Sequence, residues 1–323
     1  MGPSAAMAGT KVPRRCVRTL VPLTAMTVAV ETHQLTKDYG QGHGIFDLDL
    51  AVRRGEAFGC IGPNGAGKTT TLRLLMDLIR PTRGSASILG MDTQRDSLAI
   101  KRVTAYVPGE LPEYPNHTGE RVLDLFAHLR GGVDPARITA LARRFDLDIH
   151  RHYREYSHGN KQKVWLIAAF MLDAQLYIMD EPTNGLDPLM QQAFRELLTE
   201  AKNRGATVFL SSHVLPEVQE ICDRIAVVHQ GHLRQVGTMS ELRLSNIHHV
   251  EVRVTRPIDA QSLQRIAGVS AVDISDHRMQ CDVAGNVGPL LEALQPAGIV
   301  TIESAEMNLE QVFLNEYGTD AQP

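Results

Sequence analysis

Nine residues, Gly62-Pro63-Asn64-Gly65-Ala66-Gly67-Lys68-Thr69-Thr70, stand between the apolar run Phe58-Gly59-Cys60-Ile61 and the helically spaced Leu72, Leu74, Leu75 and Leu78. The glycines let the backbone curl so that successive N–H groups converge on one anion, and the helix that follows adds the positive end of its dipole. Lys68 has the reach to bind outer phosphates, and Thr69 offers a hydroxyl to magnesium. The stretch therefore predicts a nucleoside-triphosphate site of the P-loop type in an α/β fold.

At 323 residues the chain exceeds the usual ~100–200 residues of one domain, so more than one unit is expected. A net charge of −4 with acids and bases interspersed gives no reason to expect nucleic acid as a partner. The four cysteines, Cys16, Cys60, Cys222 and Cys281, lie far apart without CxxC spacing and read as reduced thiols. The longest apolar stretches, 20–30 and 164–172, fall short of the ~20 residues of a spanning helix. No direct membrane insertion is expected, and any membrane role passes through a partner. Lys11, Arg14, Arg15 and Arg18 before a mildly apolar run are superficially like an export leader. Cleavage there would remove the strand that Val28 and Val30 open, so 1–26 is expected to be a flexible extension, with Met26 a candidate start.

Phe46, Leu48, Leu50 and Val52 alternate with Asp47, Asp49 and Ala51, the period of a half-buried strand in an antiparallel layer. From 97 to 163 the pattern is mostly helical. Val122, Leu123, Leu125 and Phe126 are placed on one face, with Ile138, Leu141 and Phe145 on another. Short apolar runs at 176–179, 207–210 and 225–228, separated by helical spacing as at 194–201, predict parallel-sheet strands.

The run Leu176-Tyr177-Ile178-Met179 ends in Asp180-Glu181, a buried strand that delivers two carboxylates to its tip. Asp180 is suited to hold magnesium and Glu181 to polarise the water that attacks a γ-phosphate. Asn184-Gly185-Leu186-Asp187 and Ser211-Ser212-His213 follow at suitable intervals. A lone histidine at a strand end is usually a surface residue; within this ordered set His213 can bond the γ-phosphate and orient the water.

Tyr156-Ser157-His158-Gly159-Asn160-Lys161-Gln162-Lys163 precedes a helix and lies before the acid strand. Over 27–242 the ordered set resembles the nucleotide-binding subunit of an ATP-binding cassette (ABC) transporter. The branch it resembles is the daunorubicin-type exporters, whose permeases are separate chains. The resemblance implies ATP and Mg2+ as ligands and Thr69 and Asp180 as metal-holding residues. It makes Ser157, His158, Gly159 and Asn160 a signature that caps the ATP of a second copy, with His158 and Asn160 replacing the more usual glycine and glutamine. Tyr39 takes the place of the aromatic that stacks on adenine, Asp187 belongs to the loop that signals across the dimer, and His213 is the switch histidine. The coupling glutamine falls after Tyr106-Val107-Pro108, where this chain has Gly109 and then Glu110; Glu110 is a candidate to take the role, metal contact included, or the contact is weakened.

Beyond 246, Val250, Val252 and Val254 alternate as a strand, and Leu263 and Ile266 suggest a helix. Val272 and Ile274 pair across Ser275-Asp276-His277 with Met279, Cys281 and Val283. A helix at 287–294, a strand at 299–302 and a helix at 309–317 complete the order of a split βαβ, ferredoxin-like α+β unit. Similar appendages in the exporter branch that the cassette resembles imply a regulatory or dimer-supporting module; a stabilising cap without regulation is the alternative. The expected layout is an extension 1–26, an α/β cassette 27–242 with a helical part at 97–163, an accessory domain 246–317 and a tail 318–323. The function expected is an ATPase subunit that works as a homodimer and drives an integral membrane permease from the cytoplasmic face. The alternatives are a cassette ATPase acting on ribosomes or DNA and a degenerate cassette that binds without hydrolysing; one cassette without sustained heptads speaks against the first, Glu181 and His213 against the second. The transported molecule is not written in this chain, since substrate contacts belong to the permease, reached only through the helical region around 115–127.

Overall fold

The structure, a computed structural model, describes residues 27–242, 247–258, 263 and 265–306. The expected N-terminal extension, the closing helix at 309–317 and the tail at 318–323 lie outside the described residues, as does most of the helix expected around Leu263.

In chain order the elements are β1 (Val28–Gly40), β2 (His43–Arg53), β3 (Ala57–Ile61), α1 (Lys68–Leu75), β4 (Arg83–Ile88), β5 (Met91–Asp92), α2 (Ser97–Val103) and β6 (Thr104–Val107). Next come α3 (Gly119–Leu129), α4 (Pro135–Arg144), α5 (His158–Phe170), β7 (Leu176–Asp180), α6 (Pro188–Asn203), β8 (Thr207–Ser212) and α7 (Leu215–Ile221). The chain continues through β9 (Arg224–His229), β10 (His232–Gly237), β11 (Ile247–Val254), β12 (Val269–Ser275), β13 (Arg278–Ala284), α8 (Gly288–Leu294) and β14 (Ile299–Glu306).

The central sheet has the order β10-β9-β3-β8-β7-β6, parallel from β9 to β6 with β10 antiparallel at its edge. Its strands β3, β7 and β8 are buried along their whole length, which is why they read as unbroken apolar runs. One face packs under α3 to α7 through residues such as Leu123, Phe145, Leu166, Phe194 and Val218. The other face, with Phe58, Ile178 and Phe209, packs against α1 and the antiparallel sheet β2-β1-β4-β5. Each fully buried Phe or Leu there contributes roughly 1.5–3 kcal/mol.

Three expectations need correction. In β2 the alternation breaks: Ile45 is buried and Phe46 is only partly so, because Asp47 adopts φ 50° and the pairing with β1 slips between Leu35↔Leu48 and Lys37↔Ile45. This bulge moves the side chains before it to the opposite face. The stretch 97–163 contains a strand of the central sheet, β6, with Thr104 opposite Leu176 and Val107 opposite Met179; four residues carry too little period to announce themselves. Leu125 is 45% exposed, since the buried stripe of α3 runs through Val122, Leu123 and Ala127 and the helical step carries Leu125 off it.

The third sheet, β12-β13-β11-β14, is antiparallel throughout, the strand order of a ferredoxin-like unit. Its core holds Val250, Val252, Met279, Cys281, Leu290 and Leu294. The expected hairpin forms with Ile274 opposite Met279, turning at Asp276 in the left-handed region. Among the described residues no helix is long and apolar enough to cross a membrane.

Candidate functional site

The chain leaves β3 at Ile61, curls through 62–67 and enters α1 at Lys68. Two glycines take positive φ, 80° at Gly65 and 106° at Gly67, conformations that a side chain would strain. Gly67 also has no room: a Cβ there would lie 2.5 Å from Ile45 Cγ2, and at Gly62 it would run into the Val228 carbonyl. Lys68 is 6% exposed and its ammonium folds back over the loop, donating to the Gly62 carbonyl at 2.8 Å and the Pro63 carbonyl at 3.3 Å. The loop, with Asn64, Ala66, Thr69 and Thr70, lines a cleft of about 320 Å³ whose other walls include Tyr39, His43 and Glu181. The Tyr39 ring is exposed, with the Lys37 ammonium 5.3 Å from its centre.

The tip of β7 brings the acids to this cleft. Asp180 is buried; its Oδ1 accepts from the Ser211 hydroxyl at 2.5 Å, and its Oδ2 has no hydrogen-bond partner. A buried carboxylate oxygen without a donor fits a cation or a cation-bound water. Gly109 stands over it, where a Cβ would come within 2.7 Å of Oδ2. Glu181 lies 3.5 Å from Lys68 Nζ and 2.8 Å from His213 Nδ1, so cation, acid and histidine form one chain of contacts. Burial pushes the neighbouring Cys60 thiol up to about 12 and the Tyr106 hydroxyl up to about 12, the second helped by the charge of Asp180. Glu110 is 90% exposed and its carboxylate pairs with Arg73 at 3.0 Å. The geometry turns it toward α1 rather than onto Asp180.

Ser157 caps α5, its hydroxyl accepting from the Asn160 amide at 3.3 Å. Neither Ser157, His158, Gly159 nor Asn160 lines the cleft of its own chain. Instead this stretch packs on the loop after the acids: Gly159 abuts the Gly185 carbonyl, His158 lies against Gly185, and Gln162 donates to the Pro182 carbonyl at 2.9 Å. Asp187 caps α6 by accepting from the Met190 amide at 3.0 Å. Two contributors were not legible in advance. Ser211 touches both acids, and Glu217 accepts from Thr183 and, at 3.2 Å, from Gln191, tying the acid loop to α6 and α7. Strand register, which sequence spacing does not give, was the missing signal.

One further joint matters. The Gly231 carbonyl accepts from the Phe46 amide at 2.8 Å while the Gly231 amide donates to the Ala66 carbonyl at 3.0 Å, and the Phe46 and His232 rings stack at 5.3 Å. The antiparallel sheet is thereby fastened to the phosphate loop through the turn between β9 and β10.

A curled amide loop at a helix start, a buried lysine and paired acids on the next strand but one define a P-loop nucleoside triphosphatase. The sequence profile of the ABC transporter family matches residues 45–184. The chain is 32% identical over 295 residues to the bacitracin transport ATP-binding protein BcrA of Enterococcus faecalis, covering 89% of this chain and 96% of that one. It is 35% identical over 219 residues to a probable multidrug ABC transporter ATP-binding protein, YbhF of Escherichia coli, covering 66% of this chain and 38% of that one. A solved ATP-binding subunit of an ABC transporter superposes with a TM-score of 0.62 at 35% identity, over 67% of this chain and 92% of its own. An ATP-binding cassette solved as a post-hydrolysis dimer with ADP and phosphate shares the fold, with a TM-score of 0.59 at 22% identity over 65% of this chain and 98% of its own. The chain belongs to the ATP-binding proteins of ABC transporters and is an ATPase.

Proposed function

We propose that two copies of this chain close head to tail around two ATP molecules and so drive a separate permease of the daunorubicin-type exporter branch from the cytoplasmic face. The observation that carries the reading is the convergence of Tyr39, residues 64–70 with Lys68, and Glu181 on one cleft, with His213 bonded to Glu181 and with Ser157, His158, Gly159 and Asn160 of the same chain outside that lining. A signature outside its own cleft can complete only the cleft of another copy.

Tyr39 supplies a π-face for adenine, and the loop amides with Lys68 take the phosphates. Mg2+ would be held by the Thr69 hydroxyl and Asp180 and supplies charge neutralisation on the β- and γ-phosphates. The unpartnered Asp180 Oδ2 supports that assignment. Glu181 accepts the proton of the attacking water, and His213, 2.8 Å from the same carboxylate, orients it toward the γ-phosphate. Ser157, at the start of α5, caps the partner's γ-phosphate with its hydroxyl and the helix amides. Loss of that phosphate removes the contact shared by the two copies, and the closed pair opens. Residues 27–242 act as the motor, and 246–317 form an accessory unit.

Light scattering on Glu181→Gln tests this. With ATP and Mg2+ the mass should double, and substitution of Ser157 by Arg should restore the monomer. A monomer under saturating ATP would end the proposal. The membrane protein that co-purifies should carry six spanning helices.

A further inference from the structure

β7 and β8 run parallel with Asp180 opposite Ser211, and Ser211 stands opposite Cys60 on β3, so these three side chains share one face of the central sheet. Ser211 is fully buried, and its hydroxyl donates to Asp180 Oδ1. The same hydroxyl oxygen accepts from the Glu181 amide at 3.1 Å, and the Ser211 carbonyl accepts from that amide at 3.2 Å. Glu181 requires this restraint. Its φ of 48° lies in the left-handed region, which is strained for a residue with a Cβ. On the far side of Asp180, Oδ2 is buried, lacks a partner and faces Gly109. One oxygen of the carboxylate is fixed by a hydroxyl, and the other is left open by a missing side chain.

We infer that Ser211 is the positioning residue for both acids. It sets which Asp180 oxygen is offered to Mg2+, and it holds the strained Glu181 backbone so that the carboxylate meets Lys68 and His213. Gly109 is its counterpart, because any Cβ at that position would crowd the offered oxygen. The inference rests on the metal and water roles proposed above for Asp180 and Glu181.

The test uses Ser211→Ala and the volume-matched Ser211→Cys, which keeps only a weak donor. A fluorescent ATP analogue is titrated in EDTA and across a Mg2+ series, and Mn2+ binding to the ATP complex is followed by electron paramagnetic resonance. In Ser211→Ala the Mg2+ concentration for half-maximal tightening should rise about tenfold, with a smaller rise in Ser211→Cys. Affinity in EDTA should stay within about twofold, and kcat should fall about 10- to 100-fold at unchanged KM. Wild-type Mg2+ dependence in both variants, or an equal loss of affinity with and without metal, overturns the role of Ser211. Should Ser211→Ala fail to fold, Ser211→Cys decides by the same two criteria. A wild-type chain whose nucleotide affinity ignores Mg2+ would overturn the assignment of Asp180 itself, a separate failure.

Discussion

Glu181→Gln separates binding from chemistry. In the structure Glu181 holds Lys68 at 3.5 Å, with side chains 18% and 6% exposed, and His213 at 2.8 Å. A pair at that distance gains about 4–5 kcal/mol of gross attraction at an effective dielectric near 20. Most of it is offset, since Lys68 keeps the Gly62 and Pro63 carbonyls and charge burial has its own cost, leaving about 1 kcal/mol net. Glutamine keeps the shape and removes the charge. Lys68 is then free for the γ-phosphate, and a negative neighbour of that phosphate disappears. Nucleotide affinity should therefore rise about fivefold. Turnover should fall by about 10²–10⁴, the range for loss of a general base. Phosphate release under saturating ATP reads the second quantity, and equilibrium titration with a fluorescent analogue reads the first. Hydrolysis within threefold of wild type, or a parallel loss of affinity, would refute the reasoning.

Gly67→Ala puts a Cβ at φ 106° and 2.5 Å from Ile45 Cγ2, so stability should drop by roughly 2–5 kcal/mol from left-handed strain plus overpacking. Denaturant unfolding that shows less than about 1 kcal/mol of loss would contradict that geometry. Burial raises the Cys60 thiol from 9.0 to about 12, against the pull of Lys68. A folded value above the unfolded one means that its contribution is complete below pH 9 and is lost as pH rises toward 12. Native Cys60 should therefore resist maleimide at pH 7–8 and label only after unfolding; fast labelling of the native chain would show the site to be open.

The phosphate loop and the acid pair were legible because their chemistry is local: the residues that converge are neighbours in sequence, and the strands beside them are long apolar runs. What stayed hidden depends on register. Asp47 steps out of the β2 alternation by taking φ 50°, so Ile45 rather than Phe46 enters the core. Thr104–Val107 joins the sheet only because Leu176–Asp180 lies beside it. The contact of Ser211 with Asp180 spans 31 positions and exists because the parallel register of two strands sets those residues opposite each other. Glu110 pairs with Arg73 on α1 at 3.0 Å, a contact across 37 positions that adjacent letters do not reveal.

The Gly231 peptide bonds on one side to the strand that leads back to Tyr39 and on the other to Ala66 in the phosphate loop. Its own position tolerates no side chain, because a Cβ would run into the Gly44 carbonyl. The two ends of the cleft thus share a hinge pin. A lesion at this remote hairpin would loosen the phosphate loop and the antiparallel sheet together, so both walls of the cleft would slacken in the same stroke.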